Sequence, residues 1–262
     1  MKAVNEIFKY IWKKELQGEL YTWKSMLWLV IASLLFSSTS YLLLTDRELS
    51  LLDQTELMLL LSQIIIVVAL LVITIDASSI ITAEFENKTA ENLFLAPLSM
   101  KDFLLGKFLA SLTLWVLLFT VSLPYIIVAS SGSHLTMAFI GYTALLGTLG
   151  IIGVVTFIFA ISLLLRSTKN TLTTSLITVL VLTLPAFFSA PLKNNFLSQF
   201  FSQIDPIDNI FSSLDIVLVD YQTSLLQNLR FLFPLLVFCA LMLIFLAFAT
   251  WKFNEQGVIK DD

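Results

Sequence analysis

Charge is scarce in this sequence. Fifteen Lys and Arg with nineteen Asp and Glu make 13% of 262 residues, about half the share of an ordinary globular chain. Cysteine is scarcer still: Cys239 stands alone, which excludes an intrachain disulfide or a multi-cysteine metal site. His134 is the only histidine and cannot build a metal site by itself. No G-x-x-x-x-G-K-[ST] phosphate loop occurs, so the chain is not expected to bind or hydrolyse ATP. Within the apolar segments no acid pairs with a base at a spacing suited to catalysis. Catalytic, cofactor-binding and metal-binding residues are therefore all expected to be absent, and no nucleic-acid partner is expected.

What is abundant is apolar. Hydrophobic residues make up 58% of the chain, including 22 phenylalanines, and the mean hydropathy is +0.91. One soluble core could not hide that much apolar surface, so the expected class is an all-α integral membrane protein. Six segments are long enough to span, near 25–44, 57–79, 103–129, 136–165, 171–190 and 229–251. The first is read as an uncleaved span: its apolar run exceeds a signal core, and its polar end, "SSTSY", is no small-x-small cleavage site.

Six spans place both termini on one side, and the basic residues say which. Lys2, Lys9, Lys13, Lys14, Lys24, Lys88, Lys101, Lys107, Arg166, Lys169, Lys252 and Lys260 fall on the side of the termini, against Arg47, Lys193 and Arg230 opposite. That asymmetry places the termini in the cytoplasm. The organisation is then an N-terminal segment 1–24, a single transmembrane domain 25–251 and a cytoplasmic tail 252–262.

In 1–24, Val4, Ile7, Phe8, Ile11, Trp12, Leu16 and Leu20 recur at helical spacing, with Lys2, Lys9, Lys13 and Gln17 elsewhere on the wheel. Such a helix lies flat in the headgroup layer, as an anchor or as a lever linking a cytoplasmic partner to the spans. The short acidic loop at 45–56 reads as a connector. "GTLGIIG" places Gly147, Gly150 and Gly153 in the fourth span, with Gly141 before them, and small residues on one face let helices approach closely in lipid. Pro124, Pro185 and Pro234 are expected to kink or end helices. The outer segment 191–224, broken by Asp205-Pro206, Asp208, Asp215 and Asp220, reads as re-entrant or as short amphipathic helices.

Two polar residues lie within the second span. Asp76 either reaches the cytoplasmic interface and caps the region below it, or serves a proton-coupled or substrate-contacting role. Gln63 is more central and suits a hydrogen bond across a helix or dimer interface.

The cytoplasmic loop 81–102 is the most polar interruption of the apolar pattern. Glu84, Asn87 or Lys88, and Glu91 recur on one side of a helix, Phe85, Leu93 and Phe94 supply apolar contacts, and Pro97 ends the run. Ser99 and Asp102 then have the spacing of an N-cap and its following acid. By residue chemistry alone this is either a charged connector or a short rigid helix able to transmit force.

The string "EFENKTAENLFLAPLSMKDFLLGKFLA", Glu84–Ala110, resembles the cytoplasmic loop of type 2 ATP-binding-cassette (ABC) transporter permeases. Glu84, Glu86, Thr89, Glu91, Leu93, Pro97, Leu98, Ser99, Leu105, Gly106 and Lys107 match that pattern, while Lys88 replaces the usual glycine. The resemblance implies six transmembrane helices, an N-terminal amphipathic interfacial helix and a cytoplasmic coupling helix that docks on a separate ATPase. It places Glu84, Glu86, Thr89, Glu91, Leu93, Phe94 and Pro97 at that interface. It further implies a bacterial inner-membrane exporter subunit, multi-pass, pairing with an identical or homologous permease amid membrane lipid. No cofactor is expected in this chain, ATP and Mg being bound by the partner. The alternatives are an ATP-independent carrier, or a non-transporting scaffold bound to an ATPase.

Overall fold

Runs of leucine, isoleucine, valine and phenylalanine satisfy their backbone internally only as helix when lipid replaces water, and the computed structural model is built from helices. It describes residues 13, 17, 22–45, 54–87, 100–131, 135–183, 205–218 and 232–256, with no strand among them. The helices are α1 (Trp23–Thr45), α2 (Gln54–Glu86), α3 (Met100–Ala129), α4 (Thr136–Leu165), α5 (Thr168–Thr183), α6 (Pro206–Leu218) and α7 (Leu232–Gln256). Five of them, α1, α2, α3, α4 and α7, are long and apolar enough to cross a membrane.

The expected span at 171–190 is described only as far as Thr183, within α5. Of the expected N-terminal helix only Lys13, Gln17 and the start of α1 are described; both side chains are exposed on helical residues. His134 and Pro185 lie outside the described residues. Pro124 sits inside α3. The expected tail from 252 begins as helix, because α7 continues to Gln256.

α4 is the most enclosed of the membrane-length helices, and α2 follows. α4 packs against α7, α2, α3, α5 and α6. Its glycines explain how so many neighbours fit. A Cβ on Gly147 would stand 2.8 Å from the Trp115 ring of α3, one on Gly150 would stand 2.6 Å from Ile210 of α6, and one on Gly153 would run into the Phe238 ring of α7. The three therefore do not share one face. A step of three residues lags a 3.6-residue turn by about 60°, so the same spacing that suggests a stripe turns successive glycines toward three helices. Trp115 is fixed over Gly147 by its ring N–H, which donates to Thr148 Oγ1 at 2.9 Å. Gly141 has nothing within 4 Å of its Cβ position.

α6 lies within the segment expected to be re-entrant or amphipathic. Asp205 precedes it and accepts the Ile207 N–H at 2.9 Å, capping the helix, while Pro206 occupies the first turn. Ile207, Ile210, Phe211, Leu214 and Val217 are buried at helical spacing against the bundle, and Ser212 and Asp215 are exposed. The contact of Ile210 with Gly150, near the middle of α4, places α6 well inside the bundle.

Candidate functional site

Hydropathy falls after Ile75, yet α2 does not stop there. Thr74, Ser78 and Thr82 lie one turn apart, fully buried, and each donates its hydroxyl to the carbonyl four residues back. Such back-bonding removes a bare donor from a dry interface. The helix continues to Glu86, and Asn87 N–H still reaches Ala83 O at 3.0 Å. Residues 84–86, expected to begin a separate cytoplasmic helix, are thus the last turn of α2. Thr89, Glu91, Leu93, Phe94 and Pro97 lie outside the described residues, so the candidate site is the root from which that loop departs.

Three ties hold this root. In the first, Glu84 Oε1 accepts from Lys107 Nζ of α3 at 2.6 Å. Lys107 is only 2% exposed; its ammonium also donates to Ile80 O at 3.0 Å and stands 5.1 Å from the Phe103 ring centre. An ammonium this dry is stable only with a counter-charge and acceptors, and α2 supplies both.

The second tie runs to α5. Glu86 accepts the Thr168 N–H on Oε1 at 2.7 Å and lies 2.8 Å from the Thr168 hydroxyl through Oε2. The single hydroxyl proton of Thr168 is shared with Thr82 Oγ1, also at 2.8 Å. Glu86 therefore caps a helix to which it does not belong, its charge set against the positive end of α5. The Thr168 N–H, and then its hydroxyl, hold the exposed carboxyl below its ordinary pKa.

The third tie is aromatic. Phe85 meets Phe253 of α7 at 5.5 Å between ring centres, and the Arg166 guanidinium lies 4.7 Å from the Phe253 centre. Arg166 ends α4 in the left-handed region, φ 52°, with its N–H on Ser162 O at 3.0 Å. Glycine is the usual residue there, and a side chain at this turn lets the cation reach the ring.

A second ion pair secures the start of α1. Asp76 accepts from Lys24 Nζ at 2.8 Å, and Lys24 also donates to Ser79 at 3.2 Å. Asp76 is 3% exposed, and its other oxygen has no hydrogen bond among the described residues. The partner of Asp76 is thus the lysine at the base of α1. Gln63 is half-buried on α2 and its amide makes no hydrogen bond among the described residues.

The start of α1, the end of α2, the start of α3, the α4–α5 turn and the end of α7 therefore converge on one face of the bundle. Sequence reasoning treated Lys24, Lys107 and Arg166 as topology signals or motif matches and did not single out Thr168 or Phe253. The partners stand 23 residues apart for Glu84 and Lys107 and 82 apart for Glu86 and Thr168, beyond the reach of any local pattern. Among the described residues no group of His, Cys, Asp and Glu could hold a metal ion.

A family model described as "ABC-2 family transporter protein" matches residues 9–258 of the chain. No curated protein matches it.

Proposed function

The chain belongs to the ABC-2 transporter family, and from that premise we propose that it is the membrane subunit of an ATP-driven exporter. It moves no substrate by its own hydrolysis; a separate ATP-binding-cassette ATPase docks on the loop 88–99 from the cytoplasm. The contact falls to Thr89, Glu91, Leu93, Phe94 and Pro97, with the exposed Glu86 at its margin. Glu84 anchors the root through Lys107.

The observation that carries this reading is the three-way tie at the end of α2. A loop anchored on one side by a continuous helix, itself fastened to α3, α5 and α7, passes a push to most of the bundle. A loop on a frayed end would absorb it. ATPase closure then shifts the population between two packings of the helices, by binding one better than the other.

The path is assigned to an interface with a second permease copy, identical or homologous. α5 supports this. Its exposed residues are Lys169, Asn170, Thr173 and Thr174 in the first half and Ile177, Leu180 and Val181 beyond, with Thr178 half-exposed beside them, so its first half is polar, whereas the exposed face of α7 from Phe233 to Phe248 is apolar throughout. Lipid favours the second kind of face, while a polar cargo route or a partner helix accommodates the first. Gln63 adds an amide at the level of the bilayer. The basic residues on the converging face, Lys24, Lys101, Arg166, Lys169 and Lys252 among them, support a cytoplasmic orientation of that face, in a membrane we take to be a bacterial inner membrane.

The test is an affinity pull-down from the native membrane in mild detergent, with mass-spectrometric identification of co-purifying chains. The expected result is a soluble chain with a phosphate loop, lost in Glu91→Lys/Phe94→Ala. Recovery of this chain alone, under conditions that preserve a known membrane complex, refutes ATPase coupling and favours an ATP-independent carrier.

A further inference from the structure

α3 and α7 both pack on α4, and toward the cytoplasmic face they leave a cleft between them. Its volume is about 360 Å³. Phe108 and Phe159, in edge contact at 6.4 Å between centres, line its inner end. Leu105 and Leu243, each more than half exposed, form rims that open sideways onto the surface of the bundle.

Among the described residues only three polar side chains line the cleft. Thr156 donates to Ile152 O at 2.7 Å and Thr250 to Ala247 O at 2.8 Å, so both hydroxyl protons are satisfied within their own helices. The third is Lys101, exposed in the first turn of α3, which makes no hydrogen bond or ion pair among the described residues. It stands seven residues before Phe108, about 10 Å nearer the end of the helix. Its neighbour Asp102 does not line the cleft. Among the described residues the cleft therefore offers one cation at the polar boundary and, apart from two internally bonded threonines, hydrocarbon along the rest of its length.

We propose that this cleft seats an anionic phospholipid of the cytoplasmic leaflet, its phosphate paired with Lys101 and an acyl chain laid between α3 and α7 over Phe159. Charge complementarity selects this occupant: an apolar helix from another protein would leave the ammonium unpaired, and a zwitterionic lipid would meet it with no net charge. The seat lies one residue inside the start of α3, where the loop 88–99 re-enters the bundle, and two turns before Lys107. An anionic lipid there would brace α3 against α7 at the point where the loop pulls. The choice of leaflet rests on the orientation proposed above, while the binding itself does not depend on ATPase coupling.

The test uses the full chain, purified without partners and equilibrated with equal amounts of dioleoylphosphatidylglycerol and dioleoylphosphatidylcholine, with retained lipid counted by native mass spectrometry. Wild type is expected to retain the glycerol lipid about fivefold over the choline lipid, the scale of one basic residue near the surface. Lys101→Gln should bring the ratio to parity and Lys101→Arg should preserve it. Ala247→Trp, which fills the cleft from α7, should remove the retained lipid while leaving the α-helical circular dichroism unchanged. Equal retention by wild type, or a preference that survives Lys101→Gln, overturns the proposal. Retention undiminished in a folded Ala247→Trp protein overturns the seat, because the lipid would then lie elsewhere around Lys101.

Discussion

Replacing Lys107 with methionine keeps most of the stem of the side chain and removes its charge, leaving Glu84 facing a dry interface. At an effective dielectric constant of about 20, attraction across the 2.6 Å contact is about 6 kcal/mol. Desolvating the ammonium offsets several kcal/mol of this, and the contacts of Lys107 with Ile80 O and Phe103 are lost as well. A net loss of about 3 kcal/mol follows, at the low end for breaking a buried pair because Glu84 keeps 17% of its side chain exposed. For a chain of this size that corresponds to about 6–12 °C in the unfolding midpoint. The assay is thermal unfolding in detergent micelles followed by tryptophan fluorescence, with Glu84→Gln and the double variant completing a cycle. The double variant should cost less than the two singles together by at least about 1.5 kcal/mol, since neither partner is then left alone. A Lys107→Met midpoint within 1 °C of wild type, or strict additivity, would refute the ion-pair argument and the anchoring of the loop root built on it.

Burial of Asp205 raises its carboxyl pKa to about 6, with nearby Asp208 adding a smaller push the same way against two backbone hydrogen bonds. The folded state then binds the proton more tightly than the unfolded one, so ionisation costs stability as pH rises from about 4 through about 6, and the full cost is present above that. Asp205→Asn keeps the capping acceptor and should be more stable than wild type by about 3 kcal/mol at pH 7. That gap should close as pH falls toward 4; a gap independent of pH in parallel thermal melts would count against it. Gly153→Leu forces a side chain into the Phe238 ring and should cost about 1–3 kcal/mol, whereas Gly141→Leu, with open space at its Cβ, should shift the midpoint little. Equal midpoints for the two leucine variants would contradict the α4–α7 contact.

Each part of this protein was legible in proportion to how local its signal was. The fourth span was expected at 136–165, the bounds of α4, because an apolar run is flanked there by "SSGSH" and by Arg166-Ser167. The second span was expected at 57–79, with a separate cytoplasmic loop from 81, whereas the backbone follows hydrogen bonding and the helix continues to Glu86. The glycine spacing of α4 was visible, but its three targets were not, since the neighbours come from α3, α6 and α7.

By itself, the sequence determined the helical membrane class, five helices long and apolar enough to cross a membrane, the asymmetry of basic residues and the resemblance of Glu84–Ala110 to the permease loop. All of these are written in contiguous residues, where hydropathy, charge and motif can be read without a partner. Tertiary structure alone decided that Glu84 meets Lys107, that Glu86 caps α5, that Phe85 packs on Phe253, and that Asp76 holds Lys24. The reason is physical. A buried charge or an uncapped helix end demands a partner, but its chemistry does not say how far along the chain that partner lies; only the packing of helices around α4 brings residues 23 and 82 positions apart within hydrogen-bonding distance.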